Sequence, residues 1–319
     1  MSHLTREQRY TISAMLQQGY SRTSIAKAIG KDKSVVSREL RRNEATAGTY
    51  DCDLAQRQYE ERMRTKRKRV RMTEEMRQIV EIGLEQDFSP QQIVGRCRLK
   101  GVEIVSHERI YQYVWADKKS GGFLHEHLRR KGRKYRKRGA AKDSRGVLRD
   151  RVSIDQRPTV VDQKIRFGDL EIDTIVGSNH KGAILTINDR LTSFCWIELL
   201  KGRNAKELAD AAVRRLLPLK EHIRTITSDN GKEFAEHKNI AEKLGVDFFF
   251  AHPYHSWERG ANENTNGLIR QYIPKGSSFE NLTDDYIRLI ERKLNNRPRE
   301  KLGVLTPNER LFSIFAAIN

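Results

Sequence analysis

Residues 167–200, FGDLEIDTIVGSNHKGAILTINDRLTSFCWIELL, decide the fold. β-Branched and aromatic residues concentrate in three runs, 167–178, 182–190 and 193–200, each bounded by Gly, Asn or Asp. That pattern predicts strands joined by short turns. In the first run Asp169, Glu171 and Asp173 are spaced by two, so on a strand all three carboxylates point to one face. Alternation alone does not choose among them.

Downstream, NAKELADAAVRRLL predicts a helix over about 204–217. A strand at 223–228, a helix at about 235–244, a strand at 246–251 and a helix at about 258–272 follow, with further helices at about 283–296 and 307–317. Three strands, helix, strand, helix, strand, helix is the order of an RNase H-like mixed sheet with helices on its faces. In that order Asp173 lies on the first strand, Asp229 of ITSDNGKEF (226–234) falls just past the fourth, and Glu263 of WERGANENTNGLIRQY (257–272) sits on a helix. Carboxylates brought together from distant segments suit phosphodiester cleavage. Hard divalent cations take oxygen ligands, and two of them roughly 3.5–4 Å apart can activate a nucleophile and offset charge on the leaving oxygen. Singly, each residue has a plainer reading. Asp-Asn-Gly is a common turn, Asp189 suits a turn at a strand end, and a Glu on a polar helix is usually solvated. Glu258 is a rival third carboxylate, although its charge also suits a helix start. His252 and His255 could assist proton transfer.

Outward from this core the chain is strongly basic. It carries 61 Lys and Arg against 42 Asp and Glu among 319 residues, a formal charge of +19. Such a balance points to a polyanionic partner. No run of about 18 apolar residues exists to span a membrane, and MSHLTREQRY lacks the apolar centre of a secretory signal. Cys52, Cys97 and Cys195 are far apart, which argues against a zinc site or a disulfide framework and fits a reducing cytoplasm.

Residues 4–43 predict three short helices, capped by Thr5 with Gln8, by Ser21 and by Asp32. On the third, Val36 and Leu40 face inward while Ser34, Ser37, Arg38 and Arg41 share another face, with Arg42 beside them. This is the layout of a helix-turn-helix DNA reader. A second helical unit of similar kind is expected at 73–128, with Thr73, Ser89-Pro90 and Ser106 as helix starts. Its third helix offers Ser106, His107 and Arg109 to DNA. Two basic segments, 61–72 and 129–152, read as linkers lying on phosphate. Their candidate contacts are Arg67, Lys68 and Arg69 in one, and Arg133, Lys134, Arg136, Lys137 and Arg138 in the other. The expected organisation is therefore multidomain: a helix-turn-helix domain at 1–60, a linker, a second helix-turn-helix-like domain at 73–128, a linker, and an α/β RNase H-like catalytic core of the retroviral-integrase type at 153–319.

The strings HLTREQR (3–9), GKDKSVVSRELRRN (30–43), SPQQIVGR (89–96), VSHERIYQYV (105–114), EIDTIVG (171–177), SDNGKEF (228–234), ERGANENTNGLIRQYIPKG (258–276), NNRPR (295–299) and TPNE (306–309) carry a resemblance. Together they resemble the bacterial DDE transposases of the insertion sequence thirty family over nearly the whole chain. The resemblance implies that Asp173, Asp229 and Glu263 are the catalytic, metal-binding triad, using two Mg²⁺ ions for which Mn²⁺ substitutes. It implies that Arg270, seven residues after Glu263, is aimed at DNA phosphate. It further implies binding to terminal inverted repeats and target DNA, strand cleavage and strand transfer through a circular or tandem-end intermediate. A dimer or larger assembly at the bacterial nucleoid is expected with it. Where family members often have His-Trp before the first acidic residues, this chain has Asp169 and Leu170. Two other classes remain open on the residues alone: a DNA-binding regulator without catalysis, and an RNase H-like nuclease or resolvase.

Overall fold

In the computed structural model, residues 3–43, 50–65, 71–129, 150–202, 204–253 and 255–318 are described, and the chain divides into two units, Met1–Val70 and Arg71–Asn319. In the first, capping side chains start each helix where the sequence predicts. Thr5 and Gln8 make a reciprocal capping box before α1 (Arg6–Gln17), Ser21 caps α2 (Arg22–Ala28), and Asp32 caps α3 (Lys33–Arg42). Leu4, Ile12, Ile25, Ile29 and Val36 form the core. A further helix, α4 (Cys52–Thr65), packs against α1 and takes up the first five residues of the stretch expected to be the linker 61–72. Leu40 is half-buried, and Glu39 is the residue buried beside Val36. Its carboxylate accepts from Arg9 Nε at 2.7 Å, while Arg9 Nη1 donates to the Leu4 carbonyl and to Gln56. A charged residue reads as surface in any periodicity, which is why this buried pair is not visible in the sequence pattern.

The second unit opens with α5 (Glu74–Glu85), α6 (Pro90–Leu99) and α7 (His107–Lys119), capped by Thr73, Ser89 and Ser106. Their core is Val80, Leu84, Ile93, Val94, Ile110 and Val114. This helical group does not stand apart, as the predicted domain boundaries have it, but is clamped to the α/β core. The clamp centres on Asp87, a residue with φ of +61° that ends α5. Its carboxylate accepts from Lys293 Nζ at 2.5 Å and from the Tyr272 hydroxyl at 3.0 Å. Arg96 grips Glu309 with two hydrogen bonds of 2.9 and 2.7 Å, and Gln92 donates to the Pro298 carbonyl.

The core is a six-stranded mixed sheet ordered β1-β6-β5-β2-β3-β4. The strands are β1 (Val152–Ser153), β2 (Asp169–Val176), β3 (Ala183–Asp189), β4 (Cys195–Leu200), β5 (Thr225–Ser228) and β6 (Asp247–Phe250). The antiparallel hairpin β2–β3–β4 matches the three predicted strand runs, and β5 and β6 add in parallel on the other side of β2. The two-residue β1, unforeseen, extends the β6 edge. Gly168 starts β2 with φ of +95°, and a Cβ there would lie 2.0 Å from the His222 carbonyl oxygen, so only glycine fits.

Helices cover both faces. A short α8 (Val160–Gln163) precedes the sheet; α9 (Ala205–Leu216) and α10 (His237–Leu244) pack on the face built from Leu170, Ile172, Leu185, Ile187 and Phe248. The opposite face meets α11 (Gly260–Ile269) and α12 (Asp284–Asn295) through Ile175, Ile184, Ile197, Leu268, Ile269 and Leu294. The last helix, α13 (Pro307–Ile318), sends Phe315 against Phe167. Among the described residues no helix is long and apolar enough to cross a membrane.

At the β4 edge α12 supplies what a seventh strand would. Asn295 Oδ1 accepts from Cys195 N at 2.9 Å and its Nδ2 donates to Cys195 O at 2.8 Å, while Glu291 accepts from Ile197 N at 2.7 Å. Asn295→Ala strands a buried N–H and a buried carbonyl on β4. We expect it to lower the unfolding free energy by about 2–4 kcal/mol, at roughly 1–3 kcal/mol per orphaned group with partial relief by water. Urea unfolding of the purified variant measures this, and a loss under about 0.5 kcal/mol would show the edge contact to be dispensable.

Candidate active site

The three acidic residues of β2 share the face under α11, as the spacing predicts, yet their surroundings separate them. Asp169 is fully buried and held by Arg166 through two hydrogen bonds of 2.8 and 3.0 Å, with Thr225 Oγ1 adding a third at 2.8 Å. Glu171 is buried against Arg190 Nη1 at 2.8 Å and accepts from Asn262 N, in the first turn of α11, at 3.0 Å. It thus serves as an anion at a helix N-terminus. Both lesser candidates are committed to structure. Asp173 differs. Its carboxylate accepts from Thr174 N and from Asn266 Nδ2, each at 2.9 Å, and remains 18% exposed.

Asp229 follows β5, the strand parallel to β2, so its carboxylate emerges beside that of Asp173. Gly231 N donates to Asp229 Oδ1 at 2.9 Å and fixes the turn. One guanidinium spans the two acids: Arg259 Nη1 lies 3.5 Å from Asp173 Oδ2, and Nη2 lies 3.5 Å from Asp229 Oδ2. Asn266, which reaches Asp173, lies three residues after the exposed Glu263 on α11, so the two share a flank of that helix. Glu233, buried in the turn after Asp229, receives a hydrogen bond from Thr174 Oγ1 at 3.0 Å.

Sequence reasoning passed over Arg259 and Asn266, although both lie in strings it quotes. Asn266 carries a signal, its i+3 spacing from Glu263 on one helix; Arg259 precedes that helix and carries none. Glu258, the rival third carboxylate, precedes α11 and accepts from His252 Nδ1 at 2.9 Å, while His252 Nε2 faces Asp155 at 3.0 Å. Hydrogen bonds to these two carboxylates raise the pKa of His252. That leaves His252 clamped between acids and tied to the loop before α11. Asp189 caps its own turn through Thr192 and Gly168, as a turn residue does.

The Asp173–Asp229 pair matches a hard divalent cation: the donors are oxygens, and a positive charge already lies against both. The residues present therefore fit a metal of the Mg²⁺ type.

The expected DNA-facing residues divide by position. Ser34, Arg38, Arg41 and Arg42 are exposed on α3 and Ser37 is half-buried, with Arg38 folded back onto the Ser34 carbonyl and hydroxyl. Ser106 caps α7 by accepting from Arg109 N; Ser106 and Arg109 are exposed and His107 is half-buried. Arg270 ends α11 and donates to the carbonyls of Pro274 and Val176 at 3.3 and 3.4 Å. Burial lowers its pKa. Arg67, Lys68 and Arg69 lie outside the described residues, as do Arg133, Lys134, Arg136, Lys137 and Arg138.

Known proteins share this architecture. Residues 1–43 match a helix-turn-helix domain family, and residues 167–256 match the integrase core domain family. The chain is 57% identical over 98% of its length to the transposase for insertion sequence element IS4351 of Bacteroides fragilis, covering 96% of that protein. It is 32% identical over 97% of its length to transposase InsI for insertion sequence element IS30A of Escherichia coli (strain K12), covering 83% of it. The transposase for insertion sequence element IS1086 of Cupriavidus metallidurans is 30% identical over 97% of this chain, which covers 94% of it.

The electrostatics of the pair carry a test. Burial raises the Asp173 carboxyl from 3.8 to about 6, opposed by Arg259 and assisted by Asp229. The folded protein therefore keeps a proton that the unfolded chain releases. Stability from this group is complete below about pH 4 and is lost as pH rises through about 6. In EDTA, Asp173→Asn should match the wild type near pH 4 and exceed it by roughly 1–3 kcal/mol at pH 7. Urea unfolding at both pH values checks this; equal offsets at the two would show Asp173 to be ionised throughout.

Proposed function

The chain belongs to the IS30 family of insertion-sequence transposases, and on that premise we propose that it binds the terminal inverted repeats of its element, cuts there and joins the freed ends to a second DNA. Its integrase core is that of a DDE-type enzyme, a class that uses divalent metal, and its helix-turn-helix region is a DNA-binding module. The observation that carries the finer reading is the meeting of Asp173 and Asp229, from two parallel strands, around one buried cationic group.

In this reading Asp173, Asp229 and Glu263 hold two Mg²⁺ ions, or Mn²⁺ in their place. Bound there, such ions supply Lewis acidity that makes the attacking oxygen more nucleophilic and offsets charge on the leaving one. The protein's own part is to place DNA against them. The exposed Ser/Arg face of α3 reads the repeat, with Ser34, Ser37, Arg38, Arg41 and Arg42 as contacts. The α7 start, with Ser106, His107 and Arg109, adds a second reader, and the basic segments 61–72 and 129–152 track phosphate. Arg270 contacts backbone phosphate near the cut. Water oxygen bonds to the phosphorus at the element end and the P–O3′ bond breaks, leaving a 3′-OH. That hydroxyl then loses its proton, bonds to a phosphorus of the second DNA and displaces a 3′ oxygen there. No covalent bond to the enzyme forms in either step. Two ends must be held at once, so the working form is a dimer or larger assembly. The substrate sets the location as the bacterial cytoplasm, at the nucleoid.

With element-end DNA and Mg²⁺ or Mn²⁺, wild-type protein should yield joined products. Asp229→Ala and Glu263→Ala should each lower them by at least about 100-fold, since even outer partners of metal ligands cost about 10–100-fold. Tight DNA binding without chemistry in any form would make the chain a regulator, and cleavage without joining of a precut 3′-OH end would make it a nuclease. In salt titrations, Arg41→Ala should weaken binding across sequences and reduce the slope of log K against log salt by about 1 if Arg41 contacts phosphate. An unchanged slope would remove it from the interface.

A further inference from the structure

On one face of β2, three carboxylates meet three arginines, and the third pairing is unlike the other two. Arg166 binds Asp169 at 2.8 and 3.0 Å and Arg190 binds Glu171 at 2.8 Å, lengths of charge-assisted hydrogen bonds. Arg259 stands off at 3.5 Å from both Asp173 and Asp229. Its side chain is only 12% exposed, yet Nε and Nη1 are buried and make no hydrogen bond. With Nε and Nη1 unbonded, the guanidinium is held to Asp173 by charge rather than by fitted hydrogen bonds.

We propose that Arg259 is the stand-in for the divalent metal: it neutralises the Asp173–Asp229 pair until metal arrives, competes with it, and is expelled from the pair when it binds. The inference rests on the metal-site reading above and adds to it a residue that gates loading. Two carboxylates alone in this half-buried site repel each other, and Arg259 keeps them in place. A divalent ion held by the same two carboxylates would satisfy them with more charge and would repel the guanidinium beside them. Like charges that close are driven apart. Loose contacts at 3.5 Å make the exchange possible, where the tight pairs of Arg166 and Arg190 would resist it.

Two measurements on the full chain without DNA test this. Calorimetric titration with Mn²⁺ should show roughly tenfold tighter binding in Arg259→Gln than in the wild type, with Arg259→Lys between them. Phenylglyoxal labelling, read at Arg259 by peptide mass spectrometry, should rise several-fold when wild type is saturated with Mn²⁺. Labelling that stays constant or falls on saturation means that Arg259 does not leave, and Mn²⁺ affinity unchanged or weaker in Arg259→Gln means that it does not compete; either overturns the proposal. Mn²⁺ binding that is lost in Asp229→Asn keeps the metal site intact as a reading whatever Arg259 does. Wild type that binds no Mn²⁺, or binds it equally well as Asp229→Asn, overturns both.

Discussion

The molecule depends on a polar seam between α11 and the β2–β3 hairpin. Helices normally bind sheets through hydrocarbon, and the C-terminal part of α11 does so with Leu268 and Ile269. Its N-terminal part uses carboxamides instead. Asn262 is bonded to Glu171 through its backbone N–H and to Asn188 through its side chain; Asn266 reaches Asp173 and Thr186. These bonds give the seam a single register, although Asn188 Oδ1 and Asn262 Nδ2 are left without a partner. Shifting α11 by one residue would orphan several buried polar atoms at once, at roughly 1–3 kcal/mol each. A hydrocarbon interface tolerates such slips; this one does not, and the position of Glu263 relative to Asp173 inherits that precision.

The same sheet face is graded. Toward the end of β2 and the start of β3 it is Ile175 and Ile184, with Ile197 of β4; toward the start of β2 and the end of β3 it becomes Asp169, Glu171, Asp173, Thr186 and Asn188. The apolar half supplies adhesion and the polar half supplies geometry. Within the polar half, charges are balanced locally: Arg166 and Arg190 lock two acids permanently, and only the pair around Arg259 is loosely held and partly open to solvent. That loosely held pair is where we propose that chemistry occurs.

Much of this was legible in the sequence because its causes are local. Alternation in 167–200 is a strand signal, and Thr5, Ser21, Asp32, Thr73, Ser89 and Ser106 each act within three residues of themselves as caps. Placement of Asp173 on the first predicted strand and of Asp229 just past the fourth followed from element order. What could not be read was long-range. Asp169, Glu171 and Asp173 are equivalent by spacing and are told apart only by arginines at 166, 190 and 259. Asp87 looks like an ordinary surface acid after a helix, and its burial is explained by Lys293 and Tyr272, some 200 residues away, together with His127. The two-residue β1 exists because β6 offers an edge, and no two-residue pattern announces that.

That edge and its opposite have a bearing on how copies of the protein meet. A sheet rim with free amides invites strands from any passing chain, a hazard for a basic protein gathered on DNA at high local concentration. Here Asn295 and Glu291 occupy the amides of Cys195 and Ile197 on β4, and at the other rim the two residues of β1 cover Phe249 and Phe250 of β6. Backbone zippering is thereby foreclosed at both rims, and contact between copies is left to side chains, which can be tuned residue by residue.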